Sequence, residues 1–240
     1  MNYDPYNNDN LNNDPYAPYN PDNDPYSMNS QNQPNQPSQS SQSNGRMTVN
    51  NYTPVITIIL ILINALVFIA ETMNGGSENT EVLLNHGAQY APYIFDNGEW
   101  YRIFTAMFVH IGFRHIAGNM FCLIAVGQYI ENYFGRVKFL IIYLISGLCG
   151  NLLSLYFEVT SSTPIVTAGA SGAISGLIGA LLVLAIDPET RKLFPLHRVI
   201  IGIVLLMIPG SKDVNVLAHL GGLITGFATG YTMYYFSKNK

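Results

Sequence analysis

The sequence predicts an all-α, polytopic membrane protein: a six-helix transmembrane bundle preceded by a disordered N-terminal tail. Three observations lead there. Hydrophobic residues make up 48% of the 240 positions and charged residues only 11%, against the roughly 25% charge of soluble domains. Charge-free apolar stretches recur at 53–70, 116–130, 139–157, 165–186, 199–209 and 214–237, and all but the fifth approach the ~20 residues a helix needs to cross hydrocarbon. The basic residues are also distributed unevenly about those stretches.

The tail comes first. Residues 1–46 contain no Ile, Val, Phe or Trp, and Asp-Pro-Tyr recurs at Asp4-Pro5-Tyr6, Asp14-Pro15-Tyr16 and Asp24-Pro25-Tyr26 before a Gln/Ser/Asn-rich run. Such a segment buries too little apolar surface to offset its chain entropy. Residues 1–50 are therefore expected to be a disordered cytoplasmic tail and 51–240 the folded domain. A solvated low-complexity tail outweighs the alternative of a tyrosine motif that binds partners. A signal peptide would begin with a basic region followed by an apolar run, and that pattern is missing at the N-terminus.

The first stretch, 53–70, opens the bundle, and the long segment 71–114 follows it. In a six-span arrangement Arg46, Arg136, Lys138, Arg191, Lys192, Arg198, Lys238 and Lys240 share one side, eight residues against the three at Arg102, Arg114 and Lys212. The positive-inside rule then makes both termini cytoplasmic and 71–114 external. The acidic residues of that segment, with Trp100, Tyr101 and Phe104, suit a partly interfacial loop, and its length points to function. The fifth stretch reaches span length only if it starts near Leu193, which brings His197 and Arg198 to headgroup level, where Arg snorkels. The expected location is a multi-pass protein of a bacterial plasma membrane.

Several function classes lose ground at this stage. The net charge of -4 comes with no basic patch, so no nucleic-acid partner is expected. Cys122 and Cys149 lie in apolar stretches, where they act as small hydrophobes rather than as a disulfide or a metal site. No metal and no cofactor is expected.

The polar residues inside the spans carry the chemistry. Spans two, four and six all run from outside to inside, and His115 with Asn119, Ser171, and His219 lie near the start of each. Four polar groups from three helices therefore share one depth, and intramembrane polar groups are functional candidates by default. Singly, each has a bland alternative: a serine bonds back to its own helix and an asparagine glues helices together. His219 is harder to dismiss, because an imidazole below the headgroups needs a partner or a cavity. Ser171 at the matching depth supplies one.

Small residues surround the pair: Gly169, Ala170, Gly172, Ser175, Gly176 and Gly179 near the serine, and Gly221, Gly222 and Gly226 after the histidine. They allow the close helix approach that a serine–imidazole hydrogen bond of roughly 2.6–3.2 Å requires. An esterase elbow is excluded because Ala173 stands where Gly-x-Ser-x-Gly needs its last glycine. A dinucleotide loop is excluded for want of a preceding strand.

These residues resemble the rhomboid family of intramembrane serine proteases over nearly the whole chain after residue 50. Gly169-Ala170-Ser171-Gly172 is similar to the family's Gly-x-Ser-Gly nucleophile motif, and Ala218-His219-Leu220-Gly221-Gly222 with Gly226 is similar to its base motif. His110, His115 and Asn119 match its second-helix pattern. The resemblance implies Ser171 as nucleophile, His219 as general base and acid, and His115 with Asn119 as oxyanion donors beside the Ser171 N–H. It implies a mainly structural His110, a water-filled cavity open to the outside, and single-span transmembrane proteins of the lipid bilayer as substrates. The family's Trp-Arg pair in the external loop reads Tyr101-Arg102 here, with Trp100 one place earlier.

Asp187 and Glu189 are expected on the cytoplasmic side and Asp213 outside, so a Ser–His dyad is expected rather than a triad. The dipole at the start of the fourth helix adds to the oxyanion donors. Two alternatives are an inactive relative that binds membrane clients, and a transporter with a His/Asn relay.

Overall fold

The computed structural model describes residues 52–161, 164–207 and 215–238. The expected tail at 1–50 lies outside them. Among the described residues the regular structure is helical, and one antiparallel bridge joins Gln89 to Thr167.

Helix α1 (Val55–Met73) shows the character of the molecule. Its buried residues are Thr57, Leu60, Asn64 and Glu71, whereas Ile58, Ile59, Leu62, Ile63, Leu66 and Ile69 face outward. This polarity is inside out: in water such an outer face would be a large apolar patch, and in hydrocarbon it needs no cover. By length and composition α1 and α6 (Arg136–Ser161) are able to cross a membrane.

The segment 74–111 folds into three short helices, α2 (Thr80–Asn85), α3 (Ala91–Asp96) and α4 (Arg102–Thr105). Arg102 holds them together. Its Nη1 donates to the carbonyls of Leu84 and Ala88 at 2.7 and 3.0 Å, its Nε donates to Glu99, and its guanidinium lies over the Tyr93 ring at 4.9 Å. The Arg102 hydrogen bond holds the Glu99 carboxyl below the usual range. The substituted Tyr101 donates its hydroxyl to Glu99 as well, so the Tyr-Arg pair remains a packing unit.

Helix α5 (Gly112–Phe134) leads into α6, and both extend past the ends expected from sequence. The reason is the same in each case. Glu71, Glu131 and Glu158, which ended the charge-free stretches, are buried and hydrogen-bonded inside the helices. Glu131 accepts from the N–H groups of Ile56 and Thr57 at 3.0 and 2.8 Å and from the Thr57 hydroxyl at 2.8 Å. It thereby caps α1, whose own N-cap position, Pro54, offers no side-chain bond. Glu158 accepts from Ala91 N–H at 3.2 Å and Ile165 N–H at 3.1 Å.

Helix α7 (Ser171–Ile186) is apolar and buried along most of its length, packed by α5, α6, α8 and α9, as a helix hydrophobic on all sides should be. Two expectations are corrected here. Residues 165–169 are not helical, because Thr167 pairs its backbone with Gln89 and Gly169 adopts φ +125; Ala170 is the N-cap residue from which α7 starts. The helix of the fifth stretch, expected over 199–209, begins earlier, at Leu196, but not as early as the Leu193 that span length would require, because Pro195 disfavours helix at the residue before it and caps the helix that follows. The described part of the resulting helix, α8 (Leu196–Met207), has 12 residues and spans about 18 Å. Helix α9 (Val216–Lys238) completes the described fold. Cys122 and Cys149 are free.

Candidate active site

The site is built on the extended strand that delivers Ser171. Thr167 and Gln89 exchange two backbone hydrogen bonds of 2.9 Å, and Gly169 N–H donates to the Ala106 carbonyl at 2.9 Å. The 74–111 segment is thus stitched to the chain two residues before the serine. Gly169 has to be glycine: its φ is left-handed, and a Cβ there would lie 2.7 and 2.8 Å from Cε1 and Nε2 of His115. Asn119 Nδ2 is 3.5 Å from the same point. The backbone before Ser171, the His115 imidazole and the Asn119 amide therefore border one small space.

Asn119 is 7% exposed, and its Nδ2 is a buried donor with no hydrogen-bond partner among the described residues. Buried side-chain donors are rarely left so. His110 is fully buried and plays a different part. Ala170 N–H donates to its Nε2 at 3.4 Å, which makes Nε2 the acceptor and directs the Nδ1 proton to the Phe108 carbonyl at 3.2 Å. Burial, with His115 nearby, pushes the His110 ring down to about 3, so it is a neutral brace. Its ring meets His115 edge-on, with centroids 5.3 Å apart. Its own N–H faces the Glu71 carboxylate at 3.3 Å.

His219 is 5% exposed and sits in the first turn of α9. Glycines bring that turn to Ser171. A Cβ on Gly172, the residue after the serine, would stand 3.4 Å from the carbonyl of Ala218, the residue before the histidine. One helical turn on, Gly222 lies against the Gly172 carbonyl and Gly226 against the Gly176 carbonyl, and any side chain at either would overlap that carbonyl. The Ser175 hydroxyl bonds back to the Ser171 carbonyl at 2.6 Å, which is the bland role open to any serine in a helix. Ser171, as first residue of α7, has no preceding turn to bond back to.

All four residues singled out in the sequence therefore belong to one region, with Ser171 and His219 on helices in backbone contact and His115 and Asn119 beside the strand leading to the serine. Asp187 and Glu189 pair with Lys238 at the far end of α9. Sequence reasoning missed a junction centred on Asn215, whose amide donates to Ser154 Oγ and Thr167 Oγ1. A signal existed: an asparagine immediately before an apolar run is an N-cap signature.

Comparison with known proteins identifies the family. Residues 97–236 match the family model described as Rhomboid domain. The chain is 38% identical over 180 residues to the Rhomboid protease GluP of Bacillus subtilis (strain 168), covering 74% of this chain and 34% of that protein. It is 37% identical over 144 residues to RHOMBOID-like protein 6, mitochondrial, of Arabidopsis thaliana, covering 58% of this chain and 46% of the relative. Rhomboid-like protease 3 of Toxoplasma gondii is 28% identical over 156 residues, covering 62% and 57%. The match to each of the first two thus takes in less than half of the relative's length.

Proposed function

The chain belongs to the rhomboid family and is an integral membrane protein; on that premise we propose that it is a serine endopeptidase cleaving transmembrane segments of membrane proteins near the outer face of the bilayer. Two of the relatives are named as proteases, and the described residues hold a serine and a histidine on helices in backbone contact.

The observation that carries the reading is the buried Asn119 Nδ2, beside the backbone leading to Ser171 and without a hydrogen-bond partner among the described residues. An orphaned donor costs roughly 1–3 kcal/mol, and it makes sense where negative charge develops only during reaction. In the proposed mechanism His219 takes the Ser171 hydroxyl proton as Oγ attacks the scissile carbonyl carbon. The carbonyl π electrons move to oxygen, which is met by Asn119, His115 and the Ser171 N–H. Collapse breaks the C–N bond, and the imidazolium gives its proton to the leaving amine. Water then hydrolyses the acyl ester with His219 again as base. The pair works as a dyad, and the six-span bundle with both termini cytoplasmic is part of the proposal.

Ser171→Ala is expected to abolish cleavage of a model single-span substrate in detergent and labelling by a fluorophosphonate. Cleavage that survived in Ser171→Ala would refute the reading. A client-binding protein without catalysis is the second reading, and it predicts clients bound but no label on wild-type Ser171.

A further inference from the structure

We propose that Asn215 is a positioning residue that sets the register of His219 against Ser171. This inference rests on the serine–histidine reading above. Asn215 stands immediately before α9, and its amide group is fully engaged. Oδ1 accepts from Ala218 N–H at 3.0 Å, and Nδ2 donates to Ser154 Oγ on α6 at 2.5 Å and to Thr167 Oγ1 at 3.1 Å. Its backbone carbonyl accepts the His219 N–H at 3.1 Å. An asparagine amide has one acceptor oxygen and two N–H donors, so the three side-chain bonds use every group it has.

Those bonds run to three places that matter. Ala218 and His219 are the first turn of the base's helix. Thr167 lies four residues before Ser171, on the strand paired with Gln89. Ser154 lies on the same face of α6 as Asn151, which donates to the Ile103 carbonyl of the external loop at 2.8 Å, and Glu158, which receives Ala91 and Ile165. α6, which supplies no catalytic group, thus presents a polar face holding the loop, the nucleophile's strand and the start of α9.

The cross-link is needed because of what the glycines leave out. Gly221 and Gly222 of α9 meet Gly150 and Gly172 backbone to backbone. At the level of the site that contact limits how close the helices come but lacks side-chain knobs to fix the first turn of α9, because the packed side chains Leu223, Met233 and Tyr234 lie further along the helix. A polar clamp at residue 215, one turn from His219, supplies that stop.

The test uses the full chain purified in detergent, with two readouts: the rate and final extent of fluorophosphonate labelling, and kcat and KM for a single-span substrate. In Asn215→Ala the labelling rate and kcat should fall together, on the order of 10- to 100-fold for a misplacement of about 1 Å, with KM and the final extent of labelling unchanged. Asn215→Asp keeps the cap acceptor and lets the Ser154 and Thr167 hydroxyls turn to donate, so it should restore most of the rate. Ser154→Ala should slow labelling less, and should add nothing to Asn215→Ala. The proposal is overturned if Asn215→Ala labels at the wild-type rate, if only the extent falls, or if Asn215→Asp is as slow as alanine. If Asn215→Ala does not fold, Ser154→Ala decides: a slower rate at full extent supports the clamp, and a wild-type rate overturns it. Failure of the underlying reading is distinguishable, because wild-type protein would then carry no label on Ser171.

Discussion

Asn119 separates a catalytic from a structural role at the level of one side chain. Helix glue would be hydrogen-bonded in the resting molecule, whereas the buried Asn119 Nδ2 has no partner among the described residues. Asn119→Ala should therefore lower kcat about a hundred- to thousandfold, as loss of one oxyanion donor does. Its thermal stability in detergent should stay level or rise, because an unsatisfied buried donor is removed. A matched fall in both would make the residue glue. His110 gives a pH-linked test. Its unfolded ring takes a proton near 6.5, while burial holds the folded ring down to about 3. Between those values the unfolded state holds more protons, so stability falls as pH falls. From pH 6.5 to 5 this amounts to about 2 kcal/mol, at about 1.4 kcal/mol per unit. His110→Gln keeps an acceptor for Ala170 N–H and does not titrate; equilibrium unfolding followed against pH should show a flatter acid limb.

At the scale of helices, the shared depth of the candidate residues is a matter of arithmetic. Asp187, just past α7, pairs with Lys238 at the end of α9, so those ends lie near one level. Sixteen residues back to Ser171 and nineteen back to His219 span about 24 and 28 Å at 1.5 Å per residue. The difference is within the reach of the lysine side chain. That depth was legible in the sequence because it follows from helix order and direction alone. Helix ends were less legible. An acid in an apolar run reads as a stop, yet Glu71, Glu131 and Glu158 continue their helices because their carboxyl oxygens accept from backbone N–H groups of other segments, and such partners are invisible to local pattern. Glu131→Ala should release the start of α1 and lower stability on the order of 3 kcal/mol, since charged hydrogen bonds are lost and the Thr57 groups are left unserved. Glu131→Gln keeps one acceptor oxygen and should lose less. Reversible unfolding in mixed micelles measures both.

For the whole molecule, inside-out polarity and loop stitching define the architecture, and only the first was readable in advance. The stitching uses backbone pairs, Gln89 with Thr167 and Gly169 with Ala106, which leave no side-chain signature, and side-chain bonds to partners far along the chain, such as Asn151 to the Ile103 carbonyl, which local pattern does not show. Orientation is the property of the whole chain that the proposed chemistry depends on, since water and clients are expected to reach Ser171 from outside. The eight-to-three division of basic residues is the ground for the proposed orientation, with 74–111 outside and the α7–α8 connection inside. Asn97 is exposed on the 74–111 segment and Glu189 is exposed on that connection, so each tolerates replacement by a reporter. In a background with Cys122 and Cys149 changed to alanine, Asn97→Cys should react with a membrane-impermeant maleimide on intact cells. Glu189→Cys should react only after permeabilisation. The reverse pattern would turn the bundle over and move Ser171, with its strand and oxyanion donors, to the cytoplasmic half of the bilayer.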